Sequence, residues 1–244
     1  MTLADHALAA SIARDAGRLL LELRPTIEDP VALREAGDAR ANVLILDALR
    51  AARPDDAILS EESADDLRRL DHDRVWIVDP LDGTREYGEP GRDDWAVHVA
   101  LSIGGTASIG AVALPAQDVV FATDPTPTLA PPSDGPVRLV VSRTRPPALT
   151  DVLRDALDAE LVPMGSAGAK AMAIVSGAAD VYAHAGGQYQ WDSAAPVAVA
   201  AAAGLHVSRL GGEPLRYNEA ERSLPDLLIC RPELTERVLE VVRR

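Results

Sequence analysis

The chain has 244 residues, 47% of them hydrophobic, enough to bury a full core in one large domain or two small ones. Its formal charge of −14 excludes non-specific binding to DNA or RNA, whose phosphates demand a basic surface, but admits a small anion where cations neutralise the site locally. No run of about 18 apolar residues is present, and residues 1–6 lack a basic segment followed by an apolar one. Neither a membrane span nor a signal peptide is therefore expected, and a cytoplasmic location is. The single cysteine, Cys230, ends the apolar run Leu227-Leu228-Ile229 and reads as core packing. Lys170 is the one lysine among 24 basic side chains, a hint that its position needs a compact ammonium rather than a planar guanidinium.

In chain order, apolar residues spaced by three and four (Leu8, Ile12, Leu19, Leu20, Leu23) predict an amphipathic helix over 3–23, stopped before Pro25. A second helix is expected over 38–53, opened by Asp38. A short strand, 57–59, runs into Ser60-Glu61-Glu62-Ser63, with a helix over 63–70 behind it; a stronger strand, 74–78, ends at Asp79. The segments 95–103, 107–114 and 119–123, separated by Gly104-Gly105 and by Pro115-Ala116-Gln117, predict an antiparallel meander. Five prolines between 124 and 136 mark a surface connection, which divides an N-terminal α+β lobe, 1–130, from a C-terminal α/β lobe, 131–244. In the second lobe strands over 137–141, 161–164 and 179–184 alternate with helices over 147–159, 167–176 and 192–203. A strand over 226–230 and a helix from Pro232 close the chain.

The chemistry concentrates in Asp79-Pro80-Leu81-Asp82-Gly83-Thr84. Asp79 ends a strand, Pro80 removes a ladder donor, and Asp82 follows three residues on, so two carboxylates converge beyond the sheet. Gly83 lets a ligand approach the backbone, and Thr84 adds a hydroxyl. A plain strand followed by an Asp-Gly turn is the alternative. Glu61, at the end of the preceding strand, reaches toward the same point, although acids there also serve as helix-dipole partners. Asp192 and Asp38 each open a helix and read equally as N-caps. Carboxylates crowded in this way repel by roughly 4 kcal/mol per pair at 4 Å and an effective dielectric of 20, so the cluster calls for cations. All its donors are hard oxygens, and the scattered histidines show no ligand spacing, which favours Mg²⁺ over Zn²⁺. His98, alternating within a strand, reads as a core or edge residue.

Ser60-Glu61-Glu62-Ser63, Asp79 to Thr84 and Trp191-Asp192-Ser193-Ala194-Ala195, in this order and spacing, resemble the inositol monophosphatase superfamily of lithium-sensitive, magnesium-dependent phosphatases. Arg85-Glu86-Tyr87 after the Asp-Gly-Thr, together with Val141-Ser142-Arg143-Thr144-Arg145 and Gly165-Ser166-Ala167-Gly168-Ala169-Lys170, is similar to its bisphosphate nucleotidase branch. The resemblance implies a layered αβαβα sandwich of the α+β/α/β type with two or three Mg²⁺ ions per site. One ion would lie between Glu61, Asp79 and the Leu81 carbonyl, a second between Asp79, Asp82 and Asp192, and a third, weaker one near Glu61. Asp38, Thr84 and Glu61 would be catalytic, with the Thr84 hydroxyl, paired to Asp38, taking a proton from the attacking water. Gly83, Thr84, Arg143, Ser166 and Lys170 would bind substrate, with Lys170 on a phosphate that is not cleaved. Residues 33–38 depart from the family's pattern and read as an atypical lid loop.

The activity so implied is removal of the 3′-phosphate of 3′-phosphoadenosine 5′-phosphate, giving AMP and phosphate within sulfate assimilation, by a homodimer that binds neither nucleic acid nor membrane. Inositol monophosphate and fructose 1,6-bisphosphate are the alternative substrates. A non-enzymatic metal- or phosphate-binding regulator is a remoter alternative. A haloacid-dehalogenase mechanism fits poorly, because the two aspartates are three apart rather than two and no Asp-Asp pair follows Lys170. Tyr189 and Tyr217 are candidates for stacking on a base, which Gly186-Gly187 would let approach the backbone.

Overall fold

Apolar residues on both faces of most strands require helices on each side of every sheet, and this requirement sets the architecture. The computed structural model describes residues 2–243. Strands β1 (Ala57–Ser60), β2 (Arg74–Asp82), β3 (Ala96–Ile103), β4 (Thr106–Leu114) and β5 (Val119–Ala122) form one sheet in that spatial order. β1 and β2 are parallel and the rest are antiparallel, as the meander demands. The second sheet has the order β7-β6-β8-β10-β9, built from β6 (Arg138–Ser142), β7 (Glu160–Met164), β8 (Val181–Tyr189), β9 (His206–Ser208) and β10 (Ser223–Cys230). The helices are α1 (Leu3–Leu23), α2 (Pro30–Ala52), α3 (Thr84–Gly88), α4 (Leu149–Leu157), α5 (Ala167–Val175), α6 (Gln190–Ala202) and α7 (Thr235–Val242).

Strand alternation sorts the core into three layers. Trp76, Val78, Val97, Val99 and Leu101 pack on α1 and α2. Their neighbours Val75, Ile77, Ala100 and Val112 point the other way and meet α5 and α6, whose far side rests on Val140, Tyr182, Leu227 and Ile229 of the second sheet. The remaining face of that sheet, Leu139, Val141, Val181, Leu228 and Cys230, is covered by α4 and α7. The result is the expected αβαβα sandwich. Its middle layer is rich in alanine, which lets two sheets close on thin helices. The approach is tightest at Gly110 of β4, where an added Cβ would stand 2.6 Å from the Ala195 carbonyl and 2.9 Å from the Ala198 methyl of α6.

Four local expectations are corrected. The second helix starts at Pro30, not Asp38, because Asp29 caps it by accepting from the amides of Val31 (3.0 Å) and Ala32 (2.8 Å) and proline suits the first turn. Residues 33–38 are therefore helical rather than a lid loop, and Asp38 is not a cap. Residues 63–70 form no α-helix; only a 3₁₀ turn, Arg68–Asp71, is present. The short strand β9 was not foreseen. Cys230 is fully buried, as expected, and burial pushes its thiol up to about 11.

Candidate active site

The carboxylates converge because of one irregularity in β2. In an unbroken strand residues three apart face opposite sides, so Asp79 and Asp82 would diverge. In the β2–β3 ladder, however, Asp79 pairs with His98 and Asp82 with Ala96, three residues of β2 spanning two of β3. The bulge, at the Pro80 that cannot donate to a ladder, resets the alternation and returns both side chains to one side. Asp79 is buried, its Oδ1 held by the Leu81 amide at 3.0 Å. The parallel β1 ends beside it, and the Glu61 amide donates to the Val78 carbonyl at 3.3 Å. Asp192 arrives from the first turn of α6. It is not the cap: Tyr189 is, and the Asp192 carboxylate accepts from its amide at 2.6 Å. Asp79, Asp82 and Asp192 each bring one oxygen within 4.8 Å of the others, a set that could hold a metal ion.

Electrostatics separate these acids. Burial, then repulsion from Glu61, Asp82 and Asp192, pushes the Asp79 carboxyl well above the usual range. Burial and the charge of Asp82 carry Asp192 up to about 7, and burial with Glu62 and Glu61 does the same for Asp38. Glu61 is raised by burial and by the Asp82 and Glu62 charges, against a lowering bond to Asp79. Asp82 behaves oppositely. Burial would raise it, but His98, the Gly168 amide at 2.7 Å and the Lys170 charge hold it well below the usual range. A cluster carrying this much uncompensated repulsion, with only carboxylate oxygens as donors, fits a hard divalent cation.

The carboxylates Glu61, Asp79, Asp82 and Asp192 line a cavity of about 280 Å³. Gly83 and Thr84 line it as well. Gly83 is left-handed (φ +84°), and a Cβ there would sit 3.0 Å from Ser166 Cβ, so only glycine fits. The Thr84 hydroxyl donates to the Leu81 carbonyl at 3.3 Å rather than to Asp38. Arg85, Glu86, Ser142, Thr144 and Arg145 belong to the same lining.

Three of the expected substrate contacts lie outside this lining. Arg143 is engaged with Glu86 and Glu89, 2.8 Å to each, and ties β6 to α3. Ser166 caps α5 and donates to Asp82 Oδ2 at 2.5 Å. Lys170, 4% exposed, donates to the carbonyls of Gly165 and Ser166 and lies 5.4 Å over the Tyr182 ring; burial lowers its pKa. Both therefore brace the loop behind Asp82. Arg145 was missed as a cavity residue although it lies two positions from Arg143 in the same motif: nothing in the sequence distinguishes the guanidinium that is paired from the one that is not. Of the stacking candidates, Tyr217 is buried on Ser193 (3.1 Å) and is excluded as an open platform. Tyr189 is 44% exposed and stacks on Trp191, centroids 4.9 Å apart. Gly186 and Gly187 have open space around them.

Fold and pocket together define a five-layered sandwich with an acidic, cation-type pocket where β1, β2 and α6 meet. The chain belongs to the inositol monophosphatase family, whose model matches residues 6–127 and 135–244. It is 55% identical to a 3′-phosphoadenosine 5′-phosphate phosphatase of Mycobacterium bovis, over 93% of this chain and 89% of the relative. It is 34% identical to the 3′(2′),5′-bisphosphate nucleotidase CysQ of Escherichia coli, covering 78% and 81% respectively. Among solved structures, CysQ from Bacteroides thetaiotaomicron superposes with a TM-score of 0.78 at 26% identity, over 93% of this chain and 97% of that one. Among the described residues, no helix is long and apolar enough to cross a membrane.

Proposed function

We propose that the protein is a Mg²⁺-dependent phosphomonoesterase that removes the 3′-phosphate of 3′-phosphoadenosine 5′-phosphate, giving AMP and phosphate. The observation that carries this reading is one cavity lined by two sets of charged groups, the carboxylates Glu61, Asp79, Asp82 and Asp192 and the guanidinium groups of Arg85 and Arg145. A substrate with a single phosphate needs only the first. A second anionic group on the same substrate could be met by Arg85 and Arg145, and Arg145 has no side-chain partner among the described residues. The names of the two curated relatives point to the same substrate class.

In this reading Glu61, Asp79 and the Leu81 carbonyl hold one ion and Asp79, Asp82 and Asp192 a second, with a third near Glu61. Bound there, such ions would supply Lewis-acid stabilisation for the phosphoryl oxygens and a more acidic water. The chain's own groups do the rest. Gly83 and Thr84 bring the backbone up to the scissile phosphate, and Arg85 and Arg145 orient the far one. Asp38 and Thr84 are the groups that would take up the proton released by water, once the Thr84 hydroxyl turns from the Leu81 carbonyl, to which it donates here, toward Asp38. The bonding balances simply: a water oxygen joins phosphorus, the bond from phosphorus to the 3′-oxygen breaks, and the ribose oxygen leaves with a proton.

Lithium inhibition, a place in sulfate assimilation, a cytoplasmic location and a homodimer belong to this reading on family resemblance alone. A division into lobes near residue 130 rests on the proline-rich connection between the two sheets.

The test is steady-state release of phosphate with Mg²⁺ from the adenosine bisphosphate, inositol monophosphate and fructose 1,6-bisphosphate. The expected result is the highest kcat/KM for the nucleotide and its loss in Asp82→Asn. Retained turnover in that variant overturns the site assignment; preference for either sugar phosphate overturns the substrate.

A further inference from the structure

His98 is fully buried at the centre of β3, and the mechanism above gives it no task. Its ring nevertheless touches both halves of the carboxylate cluster. Nδ1 lies 3.1 Å from the Trp191 carbonyl, which can only accept, so this nitrogen carries a hydrogen and donates. That bond turns Nε2 toward Asp82 Oδ2, 3.2 Å away but outside hydrogen-bond geometry, so the ring confines this oxygen by contact. The fit leaves no spare room, since a Cβ on Gly168 would run into Nε2. Ser166 Oγ at 2.5 Å and the Gly168 amide at 2.7 Å donate to the same Oδ2. Two donors and the edge of the ring thus crowd one oxygen of Asp82, and Oδ1 has no hydrogen-bond partner among the described residues.

Asp82 comes from the first sheet, whereas Asp192 comes from the helix that follows β8 of the second. Trp191, whose carbonyl the ring holds, immediately precedes Asp192. One imidazole therefore spans the gap between two carboxylates that the fold delivers from different layers. We propose that His98 is a positioning residue of the cation site: it locks Asp82 so that Oδ1 alone is presented, and through the Trp191 carbonyl it fixes the distance to Asp192. A histidine that merely fills the core would contribute to stability and leave cation affinity alone.

The inference rests on reading the cluster as a divalent-cation site, and the experiment keeps the two apart. Mn²⁺ is titrated calorimetrically into the metal-free protein and its His98→Asn variant. Partners that orient metal ligands govern affinity by about 10- to 100-fold, so the variant should bind Mn²⁺ at least about tenfold more weakly and need correspondingly more Mg²⁺ for turnover. Val99→Ala, a packing loss on the same strand, should leave the Mn²⁺ affinity where it was. Folded His98→Asn protein with an unchanged Mn²⁺ Kd overturns the proposal. Should that variant not fold, His98→Leu decides, because it keeps much of the side chain's volume and removes both ring nitrogens: weakened binding supports the proposal and unchanged binding overturns it. If the unaltered protein binds no Mn²⁺, the cluster reading itself falls, and this inference with it.

Discussion

Asp79 carries the clearest cost of function at the level of single residues. A buried carboxylate facing Glu61, Asp82 and Asp192 destabilises the fold whenever no cation is present. Asp79→Asn should therefore abolish turnover yet raise the melting temperature of metal-free protein by a few degrees, and Mg²⁺ should stabilise the unaltered protein but not the variant; differential scanning calorimetry with and without chelator checks both. Arg145 makes the complementary point about substrate. A charge-assisted contact to a phosphate contributes about 1.5–3 kcal/mol, so Arg145→Gln should lower kcat/KM for the adenosine bisphosphate by about 10- to 100-fold. The same variant should leave 3′-AMP, which lacks the second phosphate, within about twofold; an equal loss on both substrates would remove Arg145 from recognition. The acids were legible because their type, order and strand-end placement are local properties. The contrast between Arg143 and Arg145 was not, since it depends on Glu86 and Glu89 lying across β6. His98 was legible only as an alternating strand residue. Its neighbours, Asp82, Gly168 and Trp191, come from three other parts of the chain.

Between elements, ion pairs join the start of α1 to the end of α2 and the start of β2. Asp5, buried, accepts from Arg53 at 2.8 Å and lies 3.5 Å from Arg74, which also pairs with Asp56. Burial would raise the Asp5 carboxyl, but Arg53, Thr2 and Arg74 together bring it down to about 2. A carboxyl depressed in the folded state stabilises above its ordinary pKa and loses that contribution as pH falls through the folded value. The effect of Asp5→Asn should thus be full at pH 7, roughly 2 kcal/mol or about 4 °C and more in melting temperature, and should fade between about pH 4 and pH 2. Thermal melts across that range check it; a penalty independent of pH would assign the loss to packing. Elements set by periodicity, such as α1 and the meander, were readable in the sequence. The start of α2 was misjudged because residues 33–38, Gly37 among them, read as a loop with Asp38 opening the helix behind it. In the structure that glycine is a packing site, where a Cβ would come within 3.0 Å of Tyr87 and Leu81 atoms. The bulge in β2 was also invisible beforehand, because a bulge is a relation between two strands and only its proline belongs to one.

Across the whole molecule, the alanine-rich middle layer links stability to the site. Gly110→Val would wedge β4 from α6, costing about 1–3 kcal/mol as overpacking does, and because α6 carries Asp192 it should also weaken Mg²⁺ binding. Calorimetric Mg²⁺ titration beside a thermal melt tests the coupling: a destabilised variant with normal affinity would show that the layer can shift without moving the carboxylate. The layering itself was foreseen from motif order, whereas the closeness of the two sheets across α5 and α6 was not, because it depends on what small residues allow rather than on what they form. The delivery of Asp82 from one sheet and Asp192 from beyond the other has a consequence for how the protein is made. A nascent chain that has emerged only as far as β5 carries two of the three clustered aspartates and nothing to close over them. On the proposed assignment a first ion, on Glu61, Asp79 and the Leu81 carbonyl, could already be taken at that stage, whereas the one that needs Asp192 must await α6 and would act as the last clasp on a fold already assembled.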